Sequence, residues 1–168
     1  MRLLYLTSVW LHILAATVWM GGLFFLVLVV VPWLRSGTAT DAGAFLRETG
    51  ERFRFVGWIC FGASLVTGTF NLWMRGVRPS LLVDPAWWSS PFGSATGLKL
   101  GVFGLVVVIS AIHDFGVGPR AVEVMEHDPN STEAARLRKQ ASVLGRLNGV
   151  LALALLALGV VIVRGWPW

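Results

Sequence analysis

Four long apolar stretches follow one another along the chain, separated by short polar segments. They cover about Leu4–Trp33, Phe55–Trp73, Ala95–Val117 and Ser142–Val163. A helix needs roughly 20 mostly apolar residues to cross the hydrocarbon of a bilayer, so each stretch predicts one transmembrane helix. The expected fold is all-α: an integral membrane four-helix transmembrane bundle, a single domain over residues 1–168. The first helix is long enough to tilt or to project beyond the hydrocarbon. Pro32 and Pro119 predict the ends of the first and third helices, because proline cannot continue the hydrogen-bond ladder.

The connecting segments carry their own signals. Asp128-Pro129-Asn130 is a turn, after which Ser131 or Thr132 is placed to cap a helix that starts at Glu133 and runs unbroken into the fourth span. Pro79, Pro85, Trp87, Trp88, Pro91 and Phe92 crowd the segment between the second and third spans. It cannot be one regular helix, and it reads as an aromatic stretch lying at the membrane interface and lidding the bundle. Gly97 and Gly101, like Gly145 and Gly149, are four apart, a spacing that lets membrane helices approach closely.

Composition agrees with the pattern. The chain is 55% hydrophobic and 14% charged, too apolar for a soluble domain of this size. Nine tryptophans suit a protein with two membrane–water interfaces. The net charge of +5 is sorted by segment. Arg35, Arg47, Arg52 and Arg54 lie between the first and second spans; Arg120, Arg136, Arg138 and Lys139 lie between the third and fourth, with Arg146 just inside the last. The other side holds Arg2, Arg75, Arg78, Lys99 and Arg164. Positive-inside bias puts loops 34–54 and 118–141 in the cytoplasm and both termini outside, in a bacterial inner membrane. A topogenic role accounts for the charge without a nucleic-acid partner. The expected partners are the lipid bilayer and either other membrane subunits or further copies of the chain. A single cysteine, Cys60, excludes a disulfide framework and any Cys-rich metal site. The apolar run that starts at Leu3 continues to Leu34 without a small-residue cleavage signal, so it reads as a retained helix and not a signal peptide.

Ionisable groups within a membrane are costly, which makes each one a functional candidate. His12 shares a helical face with Ala15, Ala16, Trp19 and Gly22. Small residues there leave room for a flat, bulky ligand; the plainer reading is a histidine bonded to a neighbouring helix. Lys99 and His113 are fourteen residues apart, nearly four turns, and share a face of the third helix with Ser110. For Lys99 the competing reading is snorkelling to the interface; for His113 with Asp114 it is an interfacial polar cap bonded to Asn148. His127 stands among acidic loop residues and reads as solvated. On the second helix Cys60, Ser64, Thr67, Asn71 and Met74 form a stripe that should face the bundle interior, as hydrogen-bonding glue or as a site wall. At about 1.5 Å per residue His12 and His113 lie about 15 Å apart in depth. Two histidines on one iron sit roughly 4 Å apart, twice a metal–nitrogen bond of about 2 Å. The candidate cofactor site is therefore His12, Asn71, Met74 and Lys99, with His113 as a separate inner position; the candidate metal ligands are His12 and His113.

The run HILAATVWMGGL, His12–Leu23, resembles the first helix of the CopD-like and HemJ-like membrane proteins. FRFVGWICFGASLVTGTFN, Phe53–Asn71, resembles their second helix, and LKLGVFGLVVVISAIHDFGVGPR, Leu98–Arg120, their third. The HemJ-like resemblance implies haem b and oxidation of a tetrapyrrole, with a functional histidine and lysine mapping onto His12 and Lys99. This chain departs from that pattern in having its first proline at Pro32, further along than the HemJ-like Leu-Pro-Arg. The CopD-like resemblance implies copper uptake across the inner membrane. Three functions follow: a haem-b or tetrapyrrole-binding redox protein, with His12 axial, Met74 as its partner and Lys99 on a propionate; copper binding or transport, for which the spans offer the soft donors Cys60, Met20 and Met74; and a non-catalytic accessory subunit of a larger membrane complex.

Overall fold

A computed structural model describes residues 1–35, 42–128 and 130–166. The first span is α1 (Arg2–Phe25), a π-helical segment Leu26–Val30 and α2 (Val31–Arg35). The second is α3 (Ala42–Met74). Two short helices, α4 (Pro79–Leu82) and α5 (Pro85–Ser89), lead to the third span. That span is α6 (Pro91–Ile112), a π-helical segment His113–Val117 and α7 (Gly118–His127). The fourth is α8 (Thr132–Arg164). The helices Arg2–Leu34, Arg47–Met74, Pro91–His127 and Thr132–Arg164 are each long and apolar enough to cross a bilayer.

The four run alternately up and down. α1 packs along α3, and α6 along α8, while α8 also touches α1 and α7 touches α3. The α4–α5 connector and both chain ends share one end of the bundle, here the terminal end; the opposite one is the loop end. Aromatic rings knit the middle. Trp19 meets Phe61 at 5.1 Å between centroids, Trp58 meets Phe61 at 5.6 Å, and Phe61 meets Phe103 at 6.0 Å. Ala15, Met20, Leu23, Cys60, Val106 and Ala152 fill the space around them. Between helices in lipid there is no hydrophobic drive to associate, so such close packing and interhelical hydrogen bonds carry the assembly. The outer surface is apolar on each of the four spans: Trp10, Leu28, Val66, Val108, Val150 and Val160 are all exposed. That belt belongs against lipid chains.

Helix ends differ from those expected. α3 begins at Ala42, so most of the loop expected over 34–54 is helix; polar pairs such as Glu48–Arg52, at 2.6 Å and four residues apart, suit a helix standing out of the membrane. Pro32 stands three residues before Arg35, the last described residue of the first span and close to the expected end, whereas Pro119 does not end its helix. Pro32 lies within α2, and Pro119 occupies the first turn of α7, where a missing N–H is tolerated. A π-turn precedes each: Val31 N–H bonds the Leu26 carbonyl and Gly118 N–H bonds the His113 carbonyl, both five residues back. The wide turn supplies the room that the proline needs. Gly118 is required there, because a Cβ would stand 2.8 Å from the His113 carbonyl oxygen.

Ser131 caps α8, its hydroxyl accepting from Ala134 N–H at 3.1 Å, and the helix runs unbroken to Arg164, as the sequence predicts. Of the preceding turn, Pro129 lies outside the described residues. The α4–α5 connector is broken by its prolines, each opening a new helix. Trp87 and Trp88 stack edge to face at 4.6 Å, and Trp88 covers Gly97 at 3.0 Å from a Cβ position. The glycine pairs do not act as expected: Gly101 and Gly145 face open space, Gly97 lies under Trp88 and Gly149 under Phe24. The close approaches are made elsewhere, by Gly22 under Phe53 and Gly68 under His12.

Candidate functional site

At the terminal end α1 presents His12 to α3. His12 Nδ1 lies 2.9 Å from Thr67 Oγ1. The Thr67 hydroxyl has one proton, and it donates that proton back to the Ala63 carbonyl at 2.6 Å. Thr67 Oγ1 can then only accept, so Nδ1 carries the imidazole proton and Nε2 keeps its lone pair. This tautomer is inferred from the bonding pattern. Ser8, one turn earlier on α1, donates to the Thr67 carbonyl at 3.4 Å. Gly68 makes the approach: a Cβ there would stand 3.2 Å from His12 Cε1.

Lys99 enters from α6. Its Nζ lies 3.6 Å from the Cβ position of Gly159 on α8. The stripe on α3 turns inward, with Cys60 and Thr67 buried and Ser64, Asn71 and Met74 half-buried. Asn71 Oδ1 is buried without a partner, as is Thr96 Oγ1 one turn before Lys99. Met74 stands at the end of the stripe, about 10 Å along α3 from Thr67. These residues bring one imidazole, one lysine amine and two unpartnered oxygens to the terminal end of the bundle.

His113 belongs to a second cluster. Its Nδ1 donates to Asp114 Oδ1 at 3.0 Å, and Trp58 Nε1 donates to Asp114 Oδ2 at 3.1 Å. Arg54 donates to the Asp114 carbonyl at 3.0 Å and stacks 5.6 Å from the Phe115 centroid. Asn148 is not its partner; the Asn148 amide donates to Ser110 Oγ at 2.9 Å, a turn short of His113. Trp58 and Thr67 are nine residues apart on α3, about 13.5 Å along the axis. The two histidines thus serve two places, as their depths in the sequence suggest, and one iron cannot bridge them. His127 bonds the Glu123 carbonyl at 2.9 Å on an exposed surface, away from both clusters.

Sequence reasoning missed Trp58 and Arg54, which it left among interfacial aromatics and topogenic charges. It also missed Gly68 and Gly159, the two gaps into which His12 and Lys99 fit. The one available signal was register: Gly68 directly follows Thr67 on the inward stripe.

Residues 47–162 match the copper resistance protein D family. The chain belongs to that family. An uncharacterized protein of Aquifex aeolicus (strain VF5) is 36% identical over 159 residues, which is 93% of this chain and 93% of that protein. No solved structure matches. For this member of the copper resistance protein D family, the matched region holds Thr67, Lys99, Gly159 and the whole His113 cluster, and α1 brings His12 to it from outside that region.

Proposed function

We propose that this chain is a multi-pass inner-membrane protein of copper handling, with its terminal end outside, and that His12 is the copper ligand at that end. The observation that carries the reading is the Thr67 clamp. A ligating histidine normally donates its other N–H to a fixed acceptor, which sets the tautomer and aims the free nitrogen. His12 has that arrangement, with Nδ1 held by Thr67 at 2.9 Å. The donor set suits a stopping point for a transported ion better than a closed cage. Among the described residues no three or more His, Cys, Asp or Glu side chains converge, whereas a resident metal of the zinc type takes three or four protein ligands. Copper is accordingly cargo in this reading, held by one imidazole and passed on.

A second reading is favoured by one specific feature. Lys99 stands on α6 toward the same terminal end as His12, and a cation there suits a metal centre with an acidic periphery, such as haem b with its propionates, better than a bare cation. His12 would then be an axial ligand, a role that a single histidine fills.

One preparation separates the two. The protein purified in mild detergent is titrated with Cu(I), and its absorption spectrum and iron content are recorded. Stoichiometric copper binding lost in His12→Ala supports the first reading. Copper binding that survives His12→Ala sinks it. A Soret band with stoichiometric iron that His12→Ala abolishes transfers the site to the second.

A further inference from the structure

Two positive charges meet on one face of α8 at the terminal end. Lys99 Nζ packs into the gap at Gly159, 3.6 Å from its Cβ position. Arg75, just past the end of α3, donates from Nη1 to the Ile162 carbonyl at 3.5 Å. The same guanidinium stacks 5.4 Å from the Phe92 centroid at the start of α6. Gly159 and Ile162 are three residues apart, so they share a face of α8 and differ in height by about 4.5 Å. Arg75 therefore reaches from α3 across the mouth of the bundle to α8, with Lys99 about one turn beneath it.

Few acidic groups stand near this charge. Of the nine acidic residues in the sequence, only Asp84 lies on this side, and it caps α5 by accepting from Ala86 N–H at 2.9 Å. Among the described residues neither Arg75 nor Lys99 forms an ion pair. Two like charges a turn apart at the edge of a low-dielectric bundle repel, and neither gains a counter-charge among the described residues. A second observation points the same way. Thr96, one turn before Lys99 on α6, is 3% exposed, and its hydroxyl is buried without a partner. A buried hydroxyl is normally satisfied, so this one is a donor that awaits an acceptor.

We propose that the terminal mouth is an anion site, closed by Arg75 and lined beneath it by Lys99 and Thr96. The species drawn to it comes from the aqueous side and carries negative charge, as a carboxylate or as an anionic metal complex. The inference rests on the cations and the hydroxyl, and it stands whether or not His12 binds a metal.

The test uses the full chain in a Cys60→Ala background, with a single thiol introduced by Asn71→Cys or, separately, Met74→Cys. Each protein is first checked for monodispersity, then reacted with the anionic sulfonatoethyl and the cationic trimethylammonioethyl methanethiosulfonates. Rates are divided by those of Val83→Cys, whose side chain lies at an 81% exposed position of the connector. The normalised preference for the sulfonate is expected to reach about tenfold, the lower range of electrostatic focusing in clefts. Arg75→Gln should abolish most of that preference, and Arg75→Lys should keep it. Equal rates, a preference for the cation, no reaction at either position, or indifference to Arg75→Gln would overturn the proposal. Reconstitution separates the remaining source of negative charge. If phosphatidylglycerol protects the thiol where phosphatidylcholine does not, the mouth holds a lipid headgroup and the soluble-anion assignment falls.

Discussion

Thr67 shows how much one hydroxyl decides. Its only proton is spent on the Ala63 carbonyl, and this makes it an acceptor that fixes the His12 tautomer. Thr67→Val keeps the shape and removes the acceptor. Metal affinity at His12 should fall by about 10- to 100-fold, the usual cost of losing such a support, and Thr67→Ser should restore it; titration of both variants checks this. Ser110 acts differently, as an interior bond and not as part of a site. Ser110→Ala leaves Asn148 with neither end of its amide bonded. It should cost about 0.6 kcal/mol, the typical worth of an interhelical bond in a membrane, read from unfolding in mixed micelles with no change in metal binding. His12, Lys99 and His113 were legible in the sequence because ionisable groups are rare in apolar runs. Their partners were not. Thr67 read only as glue, and Trp58 read as one more interfacial indole, since nothing local marks which polar group faces which.

At the scale of the helix, the number and rough extent of the spans were legible, because length and apolarity suffice to set them. The ends were not. Pro119 predicted a stop that the third span passes through by widening a turn, and a like turn precedes Pro32 near the end of the first. Gly118 allows a test in which the sign is the informative part. In an ordinary helix interior glycine to alanine stabilises by up to about 1 kcal/mol. Gly118→Ala should instead destabilise, since the new Cβ would press on the His113 carbonyl oxygen at 2.8 Å. Thermal unfolding in detergent measures it, and stabilisation would mean that the wide turn is absent. The extra-membrane reach of α3 and α8 has a similar origin. Each has 33 residues, about 50 Å of helix against a hydrocarbon core of about 30 Å. Arg47–Glu126 at 3.3 Å and Arg120–Glu133 at 2.8 Å tie the projecting ends together, though exposed pairs of this kind add little stability.

For the whole molecule, charge asymmetry gives the orientation to be tested. A thiol at Glu51, on the loop end, should be shielded from a membrane-impermeant maleimide in intact cells, and one at Val83 should label; the reverse pattern would invert the protein and put His12 toward the cytoplasmic side. The π segments have a consequence that concerns chain length. A turn closed by a bond five residues back holds one residue more than an α-turn, and everything beyond it is rotated by about 100° relative to an uninterrupted helix. Helical wheels drawn through Leu26–Val30 or His113–Val117 therefore misassign the faces of all later residues in those spans. The same arithmetic makes each segment a natural site for a length difference: a relative one residue shorter at either place could keep the bundle intact by closing an ordinary turn, and an alignment forced to run without a gap there would set wrong residues opposite Arg120 and Trp33.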